Sequence, residues 1–369
     1  DGRYNIPNLK IGGPYIVTVS FVGYKEQRKD SIMLLIGQDY KVDFILIQQA
    51  NELDSVILQN GQQGKVFNNN HTGPQEIISR IHFESLPAIH RSVQDFGKLI
   101  PWSANGSDFG GRNGLFNNTT LDGAGFSNVF GLVSDKRAHI PGLPISIEAI
   151  EQMQVNLAPY DVRYGGFAGS NINIVSRSGT NTFKASAYTF LHGSGMTGYK
   201  VGDVQLPKAS YDYNRVGFLL RGPIIKNKLF FLINAEQENE FALATSFRAT
   251  TSTDSLGDFV SAARADTLNH LRQFLIDRFQ YDPGLFQDYN YTTKKRRITV
   301  KVDWNIGTNT TFAFKYNHFG ASKDNAVTDN RAPGITRQPS LTGLPFSGTG
   351  YTAFNNYHGF GAELNTNWS

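Results

Sequence analysis

KKRRITVKVDWNIGTNTTFAFKYNHFG, residues 294–320, carries the pattern that decides the fold. Apolar side chains occupy every second position from Ile298 to Ile306, with polar side chains between them. After a Gly-Thr-Asn turn the same alternation resumes from Phe312 to Tyr316. A period of two residues is typical of a β-strand with one apolar and one polar face. The stretch therefore predicts two strands whose faces meet different media.

The composition of the chain narrows its class. It has 369 residues, of which 40% are hydrophobic and 18% charged, and its mean hydropathy is -0.32. No stretch approaches the about 18 uninterrupted apolar residues that a transmembrane helix needs, whereas the alternating strands of a transmembrane β-barrel leave the average hydropathy low. The 27 Phe, 16 Tyr and 37 Gly suit a β protein rich in turns.

The motifs of common enzymes and nucleic-acid-binding proteins are missing from the sequence. There is no cysteine, which excludes disulfides and thiolate sites. None of the 8 histidines has a Glu three positions later, and neither a P-loop nor a GxSxG nucleophile motif occurs. The net charge of +4 is scattered, so the pI of about 9.0 does not indicate a nucleic-acid partner. We therefore predict no catalytic site, no bound metal and no cofactor.

Six segments after residue 180 have strand character. They are residues 182–192, 213–222, 227–237, 298–306, 312–317 and 357–369. The first, third and fifth connections between them are long, whereas the second and fourth are only PIIKN and Gly-Thr-Asn. Long loops at one end and short turns at the other are typical of outer-membrane β-barrels. We expect the apolar face to meet lipid and the polar face to line a lumen; the alternative is a soluble β-barrel or sandwich with an apolar core.

The number of strands indicates that the barrel is incomplete in this chain. A bacterial outer-membrane barrel needs about eight strands or more, and an open sheet edge in lipid leaves backbone groups unpaired. We therefore expect the barrel to continue past Ser369, or another chain to complete it. The opening DGRYNIPNLKIGGPY has the pattern of the middle of a β domain, so we expect the native N-terminus to lie upstream.

Three stretches resemble a known family, the TonB-dependent outer-membrane receptors of the Bacteroidota. GRYNIPNLKIGGPYIVTVSFVGYKEQ resembles the second half of the carboxypeptidase-regulatory-like β-sandwich that precedes many of these receptors, with Tyr15, Val17, Val19 and Phe21 on its core face. VNLAPYDVRYGGFAGSNINIVSRSGTNTFKASAY resembles the junction of plug and barrel in the Oar-like branch, and GFLLRGPIIKNKLFFLINAEQ is similar to the hairpin that follows it.

The resemblance implies a mostly β protein with four parts. Residues 1–49 would be a partial sandwich domain, 50–73 a linker, and 74–178 an α+β plug. Residues 179–369 would be the first strands of a transmembrane antiparallel barrel that in this family has about 22 strands. The implied function is import of a peptide, oligosaccharide or chelate across the cell outer membrane. The alternative is a related barrel that serves as a scaffold in a secretion, assembly or adhesion complex.

The linker contains the candidate TonB box. By the family's pattern it consists of Leu53, Asp54, Ser55, Val56, Ile57 and Leu58. A short apolar run with β-branched residues between polar flanks is suited to join the sheet edge of a partner, here a TonB-type energy-transducing protein on the periplasmic side. An ordinary last strand or an ordinary linker has the same features. Ser55 and Leu58 also depart from the acidic or β-branched residues that are more usual at their positions.

The Gly/Asn-rich stretch SANGSDFGGRNGLFNNTTLDGAGFSNVFG resembles the apical loops of the plug, which meet ligand. The candidate ligand contacts are Trp102, Arg112, Asn113, Phe116, Asn117, Asn118 and Asp122. In the alternative interpretation the glycines permit turns, which Asn113 and Asp122 cap.

Two basic residues, Arg163 and Arg177, fall where the family places positive charge at the contact of plug and barrel. A lone buried charge is costly, so we expect partners among inward carboxylates such as Glu236 and Glu363. Ordinary solvated arginines are the alternative.

A basic run, Lys294, Lys295, Arg296 and Arg297, begins a strand at the predicted outer rim. It is expected to bind lipopolysaccharide phosphates there, although a solvated rim has the same composition.

A helix is predicted within the longest loop. Leu268, Leu271, Leu275 and Phe279 have helical spacing, and Asp282-Pro283-Gly284 is a suitable stop. We expect this helix at the barrel mouth, over the ligand or beneath a surface lipoprotein lid.

Overall fold

The computed structural model describes residues 4–6, 9, 11–21, 24, 26–35, 40–46, 74–86, 91–125, 145–157, 165–167, 169–205, 210–251, 254, 259–307, 309–326 and 338–366. No helix within these ranges is long and apolar enough to cross a membrane.

The first sheet has two antiparallel strands, β1 (Gly12–Val19) and β2 (Gln27–Leu34). Along β1 the predicted alternation is present, because Tyr15, Val17 and Val19 are half-buried while the residues between them are exposed. Phe21, which was predicted on the same core face, lies beyond the strand and is 63% exposed.

The next five strands form a compact unit, here called the five-stranded unit. Its elements are β3 (Gln75–Ser79), α1 (Arg80–Ser85), α2 (Val93–Gly97), β4 (Asn118–Leu121), β5 (Ala124–Gly125), β6 (Ile150–Leu157) and β7 (Ser170–Ser176). The strand order is β3-β6-β7-β4-β5, and only β4 and β7 pair in parallel. Helices α1 and α2 lie before β4, and a single 3₁₀ turn at Ile147–Ala149 leads into β6.

Apolar side chains from β6, β7 and the helices form the core of this unit. Met153 and Val155 alternate with polar residues along β6, so that both side chains point into the core. Phe83 of α1 and Phe96 of α2 meet edge to face with ring centroids 4.8 Å apart. Helix α2 begins with a capping box in which Ser92 Oγ accepts from the backbone N–H of Asp95.

The largest sheet has six antiparallel strands. In chain order the elements are β8 (Lys184–Gly193), β9 (Lys200–Val201), β10 (Val204–Gln205), β11 (Tyr211–Ile225), β12 (Leu229–Leu243), β13 (Arg248–Thr250), β14 (Val260–Arg264), α3 (Ala265–Phe279), β15 (Asn290–Asn305), β16 (Thr310–Asn325) and β17 (Tyr351–Thr366). The order in the sheet is β17-β16-β15-β12-β11-β8, so each strand pairs with the next along the chain apart from the short loop strands. All six predicted strands are present, and most extend further toward the long loops than predicted.

The register places apolar side chains in rows across one face of this sheet. One row runs Leu220, Ile233, Val300, Tyr316 and Phe360. This face is open: Phe360 is 71% exposed and Phe314, in the next row, is 39% exposed. We call it the outward face.

The opposite, inward face is polar and buried. Asn234 is 0% exposed, Thr299 2%, Lys301 6% and Asp303 5%. Soluble proteins bury apolar side chains and expose charged ones, so the sheet inverts their usual arrangement. The inversion agrees with an apolar face that meets lipid. The five-stranded unit covers part of this inward face, which the sequence predicts to line a wet or plugged lumen.

The two longest loops pack together as one body, here called the loop body. Its core consists of Ala249, Phe286, Leu344 and Phe346. Phe286 and Phe346 come from different loops and meet edge to face at 5.9 Å. Helix α3 agrees with the predicted loop helix but ends at Phe279, where Gln280 adopts a left-handed conformation, φ 52°.

Candidate functional site: the seam between the two sheets

The five-stranded unit packs against the inward face of the six-stranded sheet, and we call this contact the seam. Its apolar part consists of Leu219 and Leu232, which belong to the same buried core as the residues of the unit. Leu219 is 3% exposed and Leu232 is 0% exposed. The two sheets therefore share one hydrophobic core at this place.

Glu236 of β12 is a central polar group of the seam. Its Oε2 accepts hydrogen bonds from Ser146 Oγ of the five-stranded unit at 2.7 Å and from Tyr188 Oη of β8 at 2.9 Å. Its Oε1 accepts from Arg297 at 2.7 Å. One carboxylate of β12 thus links β8, β15 and the five-stranded unit.

The charges around Glu236 form a buried cluster. Glu238 accepts from Arg215 at 2.9 Å, from Lys295 at 2.9 Å and from Arg297 at 3.0 Å. Every member except Lys295 is less than a tenth exposed at its side chain. Breaking such a pair costs more than forming it gains, because the remaining charge stays buried. The cluster thus favours one arrangement of these strands.

Asp122 forms a second polar contact across the seam. Its carboxylate accepts from the backbone N–H of Ser176 at 2.8 Å and from Ser176 Oγ at 2.6 Å. Lys315 of β16 lies 3.6 Å from this carboxylate. Lys301 of β15 donates to Ser176 Oγ at 3.0 Å. Two lysines of the sheet therefore hold the end of β7 and the turn after β4.

Close packing fixes the chain segment around Ser178 and Gly179, which connects the five-stranded unit to the six-stranded sheet. Arg221 donates to the backbone oxygen of Ser178 at 3.1 Å. A Cβ on Gly179 would lie 2.7 Å from the Cβ of Phe230 and from the backbone oxygen of Phe231. Real Cβ atoms do not come this close to backbone, so the chain passes here only because residue 179 is glycine.

Within the five-stranded unit, Glu148 joins two arginines. It accepts from Arg80 at 2.6 Å and from Arg91 at 2.7 Å. Burial alone would raise the pKa of Glu148, but the bonds and charges of the two arginines lower it overall. The carboxylate thus ties α1 and the segment before α2 to the start of β6.

Arg177, one of the predicted contact residues, pairs within the unit. Its Nε lies 3.6 Å from a carboxylate oxygen of Glu151, whereas Glu236 and Glu363 bind Arg297 and Lys315. Burial and the nearby charges of Arg221 and Arg80 lower the pKa of Arg177 to about 10. Arg163, the other predicted contact residue, lies outside the described residues, as does the TonB-box candidate, residues 53–58.

The predicted ligand contacts fall into two groups. Arg112 and Asn113 are exposed and Phe116 is 54% exposed, so these three side chains are accessible. The other four are engaged in structure. Trp102 packs on the core, Asn117 accepts from Ser170 at 2.9 Å, Asn118 donates to the Gly165 oxygen at 2.7 Å and Asp122 lies in the seam.

The basic run at residues 294–297 is divided between the two faces of β15. Lys295 and Arg297 point inward and pair with Glu238 and Glu236, whereas Lys294 and Arg296 are exposed on the outward face. Successive side chains of a strand point to opposite faces. The expectation of one four-residue basic rim therefore differs from the structure, which leaves two of the four on the outward face.

The sequence interpretation missed several residues of the seam, namely Ser146, Tyr188, Glu238, Lys301 and Lys315. Four of them, all but Ser146, lie at inward positions of strands. The signal that could have found them is another polar side chain two residues away on the same strand face. No group of three or more metal-binding side chains occurs within the described ranges. The seam is thus a set of noncovalent contacts that hold one folded unit against another.

Comparisons with known proteins agree with this architecture. Residues 175–366, just over half of the chain, match the family described as "Outer membrane beta barrel domain". The TonB-dependent transporter Oar of Myxococcus xanthus is 25% identical over 250 residues, which are 62% of this chain and 22% of that protein. The chain therefore spans about a fifth of the length of this relative.

Two solved structures are similar in a looser sense. The siderophore receptor PirA from Acinetobacter baumannii has a TM-score of 0.49 at 16% identity and covers 81% of this chain and 38% of that one. The outer membrane transporter YddB from Escherichia coli has a TM-score of 0.48 at 12% identity, covering 80% and 37%.

The matched family is a membrane barrel domain, and the relative Oar is a transporter. Both agree with the prediction that the chain is not an enzyme. The inverted sheet, the paired strands with long loops at one end and the match over residues 175–366 together place the chain in the outer membrane β-barrel domain family, and thus in the outer membrane.

Proposed function

We propose that the chain is part of a TonB-dependent outer-membrane transporter whose plug is the five-stranded unit. In this proposal residues 1–49 belong to a carboxypeptidase-regulatory-like sandwich, 50–73 form the linker with the TonB box, 74–178 form the plug, and 179–369 begin a barrel of about 22 strands. The similarity to Oar over 250 residues supports it.

The proposal rests on a difference in contacts. The five-stranded unit is joined to the six-stranded sheet in one way, and the strands of the sheet are joined to each other in another. Individual hydrogen bonds contribute about 0.5–1.5 kcal/mol each, and the seam uses isolated ones, such as Ser146 to Glu236 and Lys301 to Ser176. The sheet strands are instead joined by continuous ladders, 15 paired positions between β12 and β15 alone. A force on the N-terminal side would therefore meet isolated polar contacts and the apolar contact of Leu219 and Leu232 at the seam, but continuous ladders within the sheet.

The partners follow from the same assignment. A TonB-type protein on the periplasmic side pulls on Leu53–Leu58. Ligand meets Arg112, Asn113 and Phe116, which are exposed. A surface lipoprotein lid would rest on the loop body, where α3 exposes Leu271, Phe274 and Phe279, and lipopolysaccharide would meet Lys294 and Arg296.

Deletion of residues 53–58 tests the proposal. A host strain with this deletion and one without the protein are grown on a panel of peptides, oligosaccharides and iron chelates as sole nutrient. A transporter gives the same growth defect in both strains on one nutrient, which also identifies the ligand class. If the 53–58 deletion grows like wild type wherever the complete deletion fails, the barrel serves as a scaffold and the transport proposal is wrong.

A further inference from the structure

Tyrosines recur in one row of the inward face, at the end nearest the long loops. Tyr211 of β11 and Tyr291 of β15 both pair with Ala242 of β12, so the two tyrosines flank a small side chain. Each lies four residues from an inward charge of its own strand, Arg215 and Lys295 respectively, so both point inward. Four residues of a strand span about 14 Å, which places the two rings well beyond the charges of the seam.

Tyr351 of β17 extends this row. It pairs with Asn325 of β16. Thr293 of β15 pairs with Lys323 of β16, and a step of two residues along both strands brings Tyr291 next to Asn325. The tyrosines therefore occupy every second strand of one row, and because neighbouring strands lie about 4.8 Å apart, they repeat about every 10 Å. We call Tyr211, Tyr291 and Tyr351 the tyrosine row.

Aromatic neighbours hold two of the three rings. The Tyr291 ring meets that of Tyr289 edge to face, with centroids 5.7 Å apart, and the Tyr211 ring meets that of His192 in the same way at 5.3 Å. Tyr351 is 37% exposed, and Tyr211 and Tyr291 are half-buried. The row is therefore partly open to a ligand, and two of its rings are held in place before a ligand arrives.

The neighbouring row, on the side of the seam, has balanced charge. It consists of Tyr213, Glu240, Thr293 and Lys323. One carboxylate and one ammonium group in it offset each other. The arginines further along the same strands bind Glu236 and Glu238 instead of facing the row. An anionic iron chelate is bound best by several cations that act together, so the tyrosine row suits an uncharged ligand better.

The side chains of the row suit a sugar. A tyrosine offers an apolar ring and a hydroxyl group, which match the C–H face of a sugar ring and the hydroxyl groups at its edge. Asn325, between the second and third tyrosines, adds an amide that both donates and accepts. The spacing of about 10 Å is close to the length of a disaccharide unit. An extended peptide is recognised instead through unpaired backbone groups at a sheet edge, and β11 and β15 have paired neighbours on both sides.

We propose that the tyrosine row binds an uncharged oligosaccharide in an extended form, with every second sugar ring stacked on a tyrosine. From Tyr211 to Tyr351 the row spans about 19 Å, so that about four or five sugar rings fill it. The inference rests on the proposed transport function, in which the inward face meets the imported ligand, and it names the class of that ligand.

The test is the binding of defined probes to the native protein purified in detergent. An array carries neutral linear gluco-, manno-, galacto- and xylo-oligosaccharides of increasing length, a library of neutral octapeptides and a ferric tricatecholate chelate. The probe that binds best is then titrated by calorimetry.

Four variants separate stacking from other effects. Tyr291→Ala and Tyr351→Ala remove stacking surface, whereas Tyr291→Phe keeps the ring and removes only the hydroxyl group. Tyr316→Ala is the matched control, because it removes a tyrosine from the outward face of the same sheet. Retained heat-resistant migration on SDS gels shows that each variant is folded.

We expect at least one series of neutral oligosaccharides to bind, with an affinity that rises with length up to about five rings and then stays constant. Tyr291→Ala and Tyr351→Ala should each weaken this binding about three- to tenfold. Tyr291→Phe and Tyr316→Ala should stay within about twofold of wild type.

Three results would overturn the proposal: no binding of any oligosaccharide on the array, binding of the peptides or the ferric chelate alone, or wild-type affinity in both alanine variants. Binding in detergent needs no TonB-type partner, so the two proposals fail separately. If an oligosaccharide binds as expected but the 53–58 deletion grows like wild type, only the transport proposal is wrong. If that deletion abolishes growth on a peptide or a chelate and no oligosaccharide binds, only the present inference is wrong.

Discussion

Tyr188 donates its hydroxyl group to Glu236 across an intervening strand, at 2.9 Å. The residue between them in the row is Gly217, which pairs with Tyr188 on one side and with Glu236 on the other. A Cβ on Gly217 would lie 2.4 Å from Cζ and Oη of Tyr188. The phenol ring therefore lies over the glycine, and the bond depends on the missing side chain.

Gly217→Ala is expected to displace Tyr188 and break its bond to Glu236. Overpacking of a filled site costs about 1–3 kcal/mol, and the temperature at which the barrel loses its heat-resistant migration on SDS gels should fall. Gly361→Ala is the control, since a Cβ there meets only Lys315 atoms at 3.9 Å. Equal melting of the two variants would show that Tyr188 does not need the space above Gly217.

Glu148→Gln is expected to destabilise the five-stranded unit at pH 7 by about 1–3 kcal/mol, because Arg80 and Arg91 lose a charged partner. The folded-state pKa of Glu148 lies below its ordinary value of 4.5. Its stabilising contribution is therefore present above about pH 4.5 and is lost as the pH falls through the folded-state pKa. Chemical denaturation of the wild type and the variant should accordingly converge on acidification.

Glu84→Gln is the matched control for this charge. Glu84 also binds Arg80, at 2.6 Å, but its side chain is 58% exposed. Exposed pairs contribute about 0–1 kcal/mol, so this variant should resemble wild type at every pH. If Glu84→Gln destabilised the protein more than Glu148→Gln, the prediction that the buried carboxylate of Glu148 is the main partner of Arg80 would be wrong.

Gly106→Ala is expected to disrupt the segment that precedes the exposed ligand candidates. Gly106 has φ +86°, and a Cβ would lie 2.0 Å from the backbone oxygen of Gln94. Gly111 also has a positive φ, +75°, but has nothing within 4 Å of its Cβ position. In both alanine variants the left-handed backbone conformation costs about 1–2 kcal/mol. Only in Gly106→Ala does the new Cβ also clash with the backbone oxygen of Gln94. Hydrogen exchange should therefore rise around residues 93–110 in Gly106→Ala alone.

Phe346→Ala is expected to loosen the loop body without affecting the sheet. Phe346 is 9% exposed and touches Phe286 of the other loop, and truncation of a buried Phe costs about 3–5 kcal/mol. Hydrogen exchange of α3 should increase while that of β15 stays slow. Phe274→Ala, whose side chain is 51% exposed, should leave both unchanged; fast exchange in both variants would mean that the loop body has no core of its own.

The strands could be predicted from the sequence because the period of two is local. Ile298, Val300 and Val302 alternate with polar residues whatever lies around them. What covers each face depends on residues far away in the chain, so the burial of Thr299 and Lys301 under the five-stranded unit could not be predicted. The division of Lys294 to Arg297 between two faces follows from the same period and was available from the sequence.

Side-chain partners were predicted less well than strands. Arg177 lies 3.6 Å from Glu151, twenty-six positions earlier on the neighbouring strand, rather than close to Glu236. Asp122 has the left-handed φ of 50° that a turn residue needs, yet its carboxylate also lies in the seam. Asp122 thus fits the turn that the sequence predicts, and it also makes a contact that depends on the tertiary structure.

The loop body has a consequence for how the cell surface presents this protein. Backbone bonds link its two loops, such as Ser347 N–H to the Leu285 oxygen at 2.7 Å and Ala262 N–H to the Leu341 oxygen at 2.7 Å. The surface around them is a discontinuous epitope, so antibodies raised against a synthetic peptide of either loop should recognise the native protein poorly. Because the two loops pack on each other, a substitution in one requires a compensating substitution in the other. We therefore expect the two loops to vary together among relatives.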